Sequence, residues 1–219
     1  MKNLFVFAMF IFAISIYSYA ANLDDFIIHD FNTALKIGEI TGKNVVIMFS
    51  SKSCYYCKKF KEDVLTDKEI QKWLRTEFIF AEIYADKNKI ANFKNKSMNY
   101  VELFGAFGIR GTPTFFFFDK EPLAQLPGFV EKDTFLSILK YFKYLKTRNI
   151  KYQDFVKSNI KVNIERKILK LKKEDIEYLL LNDPNTKKYN EKMDKYTNVI
   201  LDKVDKKLEE NFYVIIYEK

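Results

Sequence analysis

The two cysteines of this chain of 219 residues, Cys54 and Cys57, are separated by two tyrosines. They follow a short apolar run, 45–49, typical of a buried strand, and precede a segment of helical character. This order places Cys54 at the start of a helix, where free N–H groups, the helix dipole and the nearby Lys58 and Lys59 favour a thiolate. We therefore predict that Cys54 is an exposed nucleophile and that Cys57, one turn later, is the protected thiol that resolves a mixed disulfide.

Three other interpretations of the cysteine pair compete with this one. A structural disulfide closing so short a loop would restrict the unfolded chain little. A zinc site normally needs four ligands, and the single histidine, His29, cannot complete one within a monomer. A copper site suits thiolate ligands but requires His29 to fold back onto the cysteines. The strand-to-helix context favours redox chemistry, with no metal and no cofactor beyond the Cys54–Cys57 disulfide.

The neighbouring segments alternate between helical and strand patterns. Helices are predicted over 30–43, 58–65, 100–107 and 133–144, with a further helix starting at Thr66, which forms a capping-box pattern with Glu69. Strands are predicted over 45–49, 78–85, 115–118 and 123–130. The four phenylalanines at 115–118 require cover on both faces, and we assign them and Trp73 to the core. The pattern is that of an α/β domain.

Residues 32–144 resemble a thioredoxin-fold domain of the exported kind, similar to the periplasmic thioredoxin-like proteins that include the SoxW type. The resemblance is carried by "SCYYC", "YADKNK" and "FGIRGTPTFFFFD". It implies a central mixed β-sheet flanked by helices, and a cis peptide bond before Pro113, which lies against the cysteines. It also implies that backbone groups of Thr112 pair with an extended substrate strand.

The same resemblance implies a thiol:disulfide oxidoreductase that acts on disulfides or dithiols of partner proteins. It implies a reductase supplied with electrons by a membrane partner, or a role in sulfur metabolism. Three alternatives belong to other classes: a disulfide isomerase, a copper-handling protein, and a binding module that has kept the fold but not the chemistry. The oligomeric state is not predicted.

The residues next to the cysteines depart from those of cytosolic thioredoxins, which have tryptophan before the first cysteine and glycine-proline between the pair. Here Ser53 precedes Cys54, and Tyr55 and Tyr56 stand between the cysteines. The redox potential of thioredoxin is therefore not carried over. We predict that the two tyrosines form an apolar collar that offers contact area to a flexible partner, with a core position for Tyr56 as the alternative.

A second departure concerns the buried aspartate that serves thioredoxin as a proton acceptor, because Met48 falls at its position. Glu82, on the neighbouring predicted strand, is the candidate replacement. A glutamate buried there would have a raised pKa and could relay a proton to or from Cys57. The alternative is a glutamate on a partly solvated strand face.

The first twenty residues have the pattern of a secretory signal. Lys2 is followed by an apolar stretch over 4–17 and by small residues at 18 and 20. We expect cleavage after Ala20 and export to the periplasm or another oxidising compartment, in which a disulfide persists. An uncleaved anchor is the alternative, but the apolar run is shorter than the roughly 20 residues that span a bilayer.

The mature chain is predicted to contain a thioredoxin-like domain over 21–146 and a small α+β extension over 147–219. Lysine and glutamate dominate the extension, with strands expected over 162–171 and 211–219 and helices over 174–181 and 190–210. It contains no cysteine or histidine, so docking, dimerisation or stabilisation fit it better than catalysis. The net charge of +8 is spread along the chain, which indicates mainly solubility, with weak attraction to acidic surfaces as the alternative. No nucleic-acid partner is expected.

Overall fold

The computed structural model describes residues 22–146, 148 and 150–219, so the predicted signal peptide lies outside the described residues. The first part of this region begins with a 3-10 helix at Leu23–Asp25. Its strands are Ile27–Ile28 (β1), Asn44–Ser50 (β2), Phe78–Tyr84 (β3), Ile90–Phe93 (β4), Lys96–Asn99 (β5), Thr114–Phe118 (β6) and Pro122–Pro127 (β7). Its α-helices are Phe31–Thr41 (α1), Tyr55–Asp63 (α2), Lys68–Glu77 (α3), Tyr100–Ala106 (α4) and Lys132–Leu145 (α5).

The central sheet is mixed, with strand order β1-β3-β2-β6-β7. Strands β1, β3 and β2 are parallel, β6 runs antiparallel to β2, and β7 runs antiparallel to β6. All seven residues of β2 are buried, as expected for the middle strand of a sheet covered on both faces. The predicted α/β fold, a mixed sheet flanked by helices, is confirmed.

The phenylalanines of β6 divide between the two layers of core. Phe115 and Phe117 pack in the layer that includes side chains of α2, α3 and α5, and Phe117 stacks on Phe142 with ring centroids 4.3 Å apart. Phe116 and Phe118 pack on the opposite face with side chains of α1 and α4. Burying each ring contributes about 1.5–3 kcal/mol to the stability of the fold, so β6 stabilises both layers of the core.

The predicted start of α3 is wrong by one residue. Asp67, rather than Thr66, is the N-cap, and its carboxylate accepts hydrogen bonds from the backbone N–H groups of Glu69 and Ile70. The Thr66 hydroxyl instead donates to the carbonyl of Glu62 in the preceding helix. Aspartate is as good an N-cap as threonine, so the sequence pattern did not distinguish the two.

The C-terminal part contains a second sheet. Its strands, all parallel, are Lys167–Leu171 (β8), Thr186–Lys188 (β9), Asn198–Ile200 (β10) and Val214–Glu218 (β11), in the order β8-β11-β10-β9. Its helices are Tyr152–Lys157 (α6), Lys173–Asn182 (α7) and Lys206–Asn211 (α8). The additional strands and helices agree with the predicted α+β extension, but the long helix predicted over 190–210 is wrong. The domain boundary at 146 stays a prediction.

Buried polar groups join the second sheet to the first. Lys43, just before β2, donates to the carbonyl of Arg75 at 2.7 Å and to Oδ1 of Asn198 at 2.8 Å. Nearby, Oε2 of Glu77 accepts hydrogen bonds from Lys143 and Lys167. Burial lowers the pKa of Lys43 to about 7. These contacts lie where β2 and β3 begin, which is the end of the sheet opposite to the cysteines.

None of the helices in the described part of the chain is long and apolar enough to cross a membrane.

Candidate active site

The disulfide between Cys54 and Cys57 lies where β2 gives way to α2. Cys54 is the N-cap of α2, and its Sγ accepts a hydrogen bond of 3.0 Å from the backbone N–H of Cys57. Cys54 is partly exposed, whereas only 2% of Cys57 is exposed. When the disulfide is reduced, the free N–H groups at the start of α2 will therefore favour a thiolate on the more accessible sulfur.

The loop before β6 reaches the same end of the sheet. In the antiparallel pairing of β2 with β6, Phe49 lies opposite Thr114, so the residues that precede Thr114 lie beside the end of β2. The Thr112–Pro113 peptide bond is cis, as the resemblance implies. Pro113 is buried and Thr112 is partly exposed. The carbonyl of Pro113 accepts a 2.8 Å hydrogen bond from the N–H of Gly128, which ties this loop to the end of β7.

A groove of about 490 Å³ runs along this loop. Thr112 and Pro113 line it, together with Arg110 from the same loop and Gln125 and Pro127 from β7. The groove is open and combines apolar proline surface with polar groups. It can therefore accept a chain segment lying in an extended conformation against Thr112.

The two tyrosines between the cysteines are on the surface. Tyr55 is 70% exposed and Tyr56 is 55% exposed, with their ring centroids 5.3 Å apart. The ring centroid of Tyr56 also lies 6.0 Å from that of Phe129, which follows the end of β7. The alternative of a core position for Tyr56 is therefore wrong, while the predicted contact with a partner stays a prediction.

Glu82 lies beneath the active-site helix and is 1% exposed. It lies beside Met48 in the pairing of β2 with β3, on the neighbouring strand as predicted from the sequence. Its carboxylate accepts hydrogen bonds from the Ser50 hydroxyl at 2.8 Å and from Nζ of Lys61 at 3.1 Å. The alternative of a partly solvated glutamate is therefore wrong, and its role as a proton relay stays a prediction.

Lys61 is a site residue that the sequence analysis missed. It follows Cys57 by four residues, so both side chains lie on one face of α2. Burial opposes the charge on Lys61, but the Glu82 carboxylate outweighs that effect and raises the pKa of Lys61. Burial, and then a hydrogen bond to Glu82, raises the pKa of Tyr84, whose hydroxyl lies 3.4 Å from Nζ of Lys61. The acid predicted from the sequence, Glu82, is therefore one member of a salt bridge with Lys61.

His29 does not join the cysteines in a cluster. Its Nδ1 lies 3.2 Å from the backbone carbonyl of Glu82, at the far side of β3 from β2. No group of three or more histidine, cysteine, aspartate or glutamate side chains within the described residues is arranged to hold a metal ion. The copper site considered from the sequence requires such a group and gains no support here.

Comparison with known proteins settles the family. Residues 31–143, more than half of the chain, match the model of the thioredoxin-like domain. The chain belongs to the thioredoxin-like family. With its Cys54–Cys57 disulfide at the start of α2, this thioredoxin-like protein is a thiol:disulfide oxidoreductase. None of the curated proteins compared with the chain matches it.

Among solved structures, the chain is similar to a thioredoxin from Thermus thermophilus, with 24% identity over 54% of this chain and 88% of that one and a TM-score of 0.44. A thioredoxin-fold protein from Helicobacter pylori shares 23% identity over 59% of this chain and 92% of its own, with a TM-score of 0.41. The C-terminal domain of Neisseria meningitidis DsbD in its reduced form shares 24% identity over 50% of this chain and 91% of its own, with a TM-score of 0.40.

Removing the acid beneath α2 should slow the resolving step. We expect Glu82→Gln to lower the rate of thiol–disulfide exchange by about a hundredfold at pH 7, since general acid–base groups contribute roughly that much or more. The measurement is the second-order rate constant for a disulfide peptide from pH 5 to pH 9.

Lys61→Gln is the matched control for this variant, because it removes the positive partner and keeps the carboxylate. Because the Glu82 carboxylate remains in Lys61→Gln, this variant should keep the pH dependence that Glu82→Gln loses. A wild-type rate and profile in Glu82→Gln would exclude the relay.

Proposed function

We propose that the protein is an exported reductase that uses the Cys54–Cys57 pair to reduce disulfides in partner proteins. The observation that carries the proposal is the unequal exposure of the two sulfurs at the start of α2. A groove lined by Thr112 and Pro113 lies at the same end of the sheet. Export rests on the signal-like pattern of residues 1–20. The disulfide is the sole redox group that this reaction requires.

The reaction starts from the dithiol form. The Cys54 thiolate attacks one sulfur of the partner disulfide, breaking that bond and releasing a partner thiolate as the mixed disulfide forms. Cys57 gives its proton to Glu82 and attacks Sγ of Cys54. The second partner sulfur leaves as a thiolate and is protonated. Two electrons have then moved to the partner, and the Cys54–Cys57 disulfide is restored.

Other groups at the site hold the partner in place for these steps. Backbone groups of Thr112 pair with the extended partner segment, Pro113 limits the approach beside Cys54, and Tyr55 and Tyr56 cover the apolar part of the contact. A membrane protein with a dithiol returns the protein to its reduced form after each cycle. This last step rests on the resemblance to the exported thioredoxin-like proteins.

The reduction potential of the Cys54–Cys57 pair tests the direction of electron flow. The protein without residues 1–20 is equilibrated against dithiothreitol or glutathione buffers, and the fraction of free thiols is measured. A potential near −270 mV, the thioredoxin value, supports the reductase. A potential between about −180 and −120 mV would contradict it and favour an isomerase or an oxidant.

A further inference from the structure

The three segments that lie next to the cysteines carry several basic residues. These segments are 50–61 around the cysteines, 107–114 at the start of β6, and 125–130 at the end of β7. They contain no aspartate or glutamate. Their basic residues are Lys52, Lys58, Lys59, Lys61 and Arg110. These three segments therefore carry a net positive charge of their own.

Three of these five charges are paired. Lys58 lies 3.7 Å from Glu62, Lys59 is hydrogen-bonded to Asp63, and Lys61 is bound to Glu82. Lys52 and Arg110 are exposed, and neither makes an ion pair with another described residue. Unlike the charges of the paired lysines, these two charges are not offset by a carboxylate in an ion pair, so they can attract an acidic partner.

Arg110 also lines the groove in which the proposed function places the partner segment. Of the described residues that line the groove, it alone carries a charge. It precedes Thr112 by two residues, and an extended segment paired with Thr112 places alternate side chains on the same side. A side chain next to the partner's cysteine therefore comes within reach of the long Arg110 side chain.

We propose that Arg110 selects partner segments that carry an aspartate or glutamate beside the cysteine that reacts with Cys54, with Lys52 adding to the attraction. The occupant of the groove is thus an extended, acidic segment of a partner protein. This inference rests on the proposed function and adds a class of substrate to it. An exposed ion pair of this kind acts mainly on the rate of encounter and weakens with salt.

The test uses the reduced protein and two disulfide-bonded peptides that differ by one residue, glutamate or glutamine, next to the reacting cysteine. Each rate constant is divided by that for dithiothreitol with the same peptide, which removes the effect of the glutamate on the intrinsic reactivity of the disulfide. The expected glutamate preference of the wild type is about two- to fivefold at low ionic strength, in the range measured for exposed ion pairs. The preference should fall in Arg110→Gln to the small part that Lys52 supplies, and it should vanish in about 1 M salt.

Lys170→Gln is the matched control, because it removes one positive charge from exposed strand β8 in the second sheet. It should keep the wild-type preference. Equal normalised rates for the two peptides in the wild type, or an unchanged preference in Arg110→Gln, would overturn the inference and leave the reductase in place. Failure of both peptides to react would overturn the reductase, and this inference with it.

Discussion

Cys54→Ser should abolish the reduction of partner disulfides, whereas Cys57→Ser should complete the first attack and stop at the mixed disulfide. Cys54 is the more exposed sulfur and lies at the positive end of α2, so it carries the attacking thiolate. Without Cys57 no thiol is placed to displace the partner. Intact-protein mass spectrometry after mixing with a disulfide peptide should show one peptide bound to Cys57→Ser and none bound to Cys54→Ser.

The variant with both cysteines replaced is the control for these measurements, since it should neither react nor gain mass. Treatment of the trapped Cys57→Ser species with dithiothreitol should release the peptide and restore the starting mass, which identifies the bond as a disulfide. Trapping by Cys54→Ser with none by Cys57→Ser would show that the roles of the two sulfurs are reversed.

The sequence was sufficient to predict the frame of this site. Apolar runs such as 45–49 and 115–118 leave few alternatives to buried strands, because so many adjacent apolar side chains require cover on both faces. Once these strands are in place, the connection from β2 to α2 determines where Cys54 lies. Local pattern and global fold agree here, which is why the predicted elements match the structure closely.

The partners of charged side chains were harder to predict. Lys61 binds Glu82, which lies 21 residues further along the chain. The sequence shows that Lys61 follows Cys57 by four residues, but it does not show that the Lys61 side chain meets the buried Glu82. Arg110 is isolated among apolar and small residues in sequence, and only the folded structure shows that it lines a groove together with Gln125 and Pro127 of β7. Such contacts depend on side chains that approach from different elements, so a local pattern does not contain them.

The C-terminal part shows how a periodic pattern can mislead. Met193, Tyr196, Ile200, Val204 and Leu208 have helical spacing, and the long helix predicted from them is wrong. The structure instead has the short strand β10 between β9 and β11, followed by the short helix α8. Val199 and Ile200 are buried there, so packing against neighbouring strands overrides the local pattern.

The hairpin formed by β4 and β5 was missed for a different reason. Its turn residues, Lys94 and Asn95, both have positive φ angles, of 50° and 61°. Asparagine tolerates this conformation, but lysine seldom adopts it, so the sequence carried only half of the usual turn signal. Neither strand is strongly apolar, which removed the other clue.

The second sheet should depend on one buried arginine of α3. Arg75 donates to Oδ1 of Asn185 at 2.8 Å, to Asp194 at 2.9 Å and to Thr197 at 3.2 Å. We expect Arg75→Met to lower the free energy of unfolding by about 3 kcal/mol, because the buried Asn185 oxygen loses its charged donor. Asp194 is half-exposed and can bind water, so its part of the loss is small. Urea unfolding followed by circular dichroism measures the change.

Arg110→Met is the matched control, since this exposed arginine has no ion pair within the described chain and its loss should change the stability by less than about 0.5 kcal/mol. Arg75 lies where β3 begins, while Cys54 follows the other end of the parallel strand β2, roughly 23 Å away for seven residues of strand. The reactivity of the disulfide with dithiothreitol should therefore be unchanged in Arg75→Met. A decrease in the free energy of unfolding below about 1 kcal/mol would show that Arg75 contributes little to holding the two sheets together. A larger decrease with unchanged disulfide reactivity would show that the second sheet supports the fold and is not part of the active site.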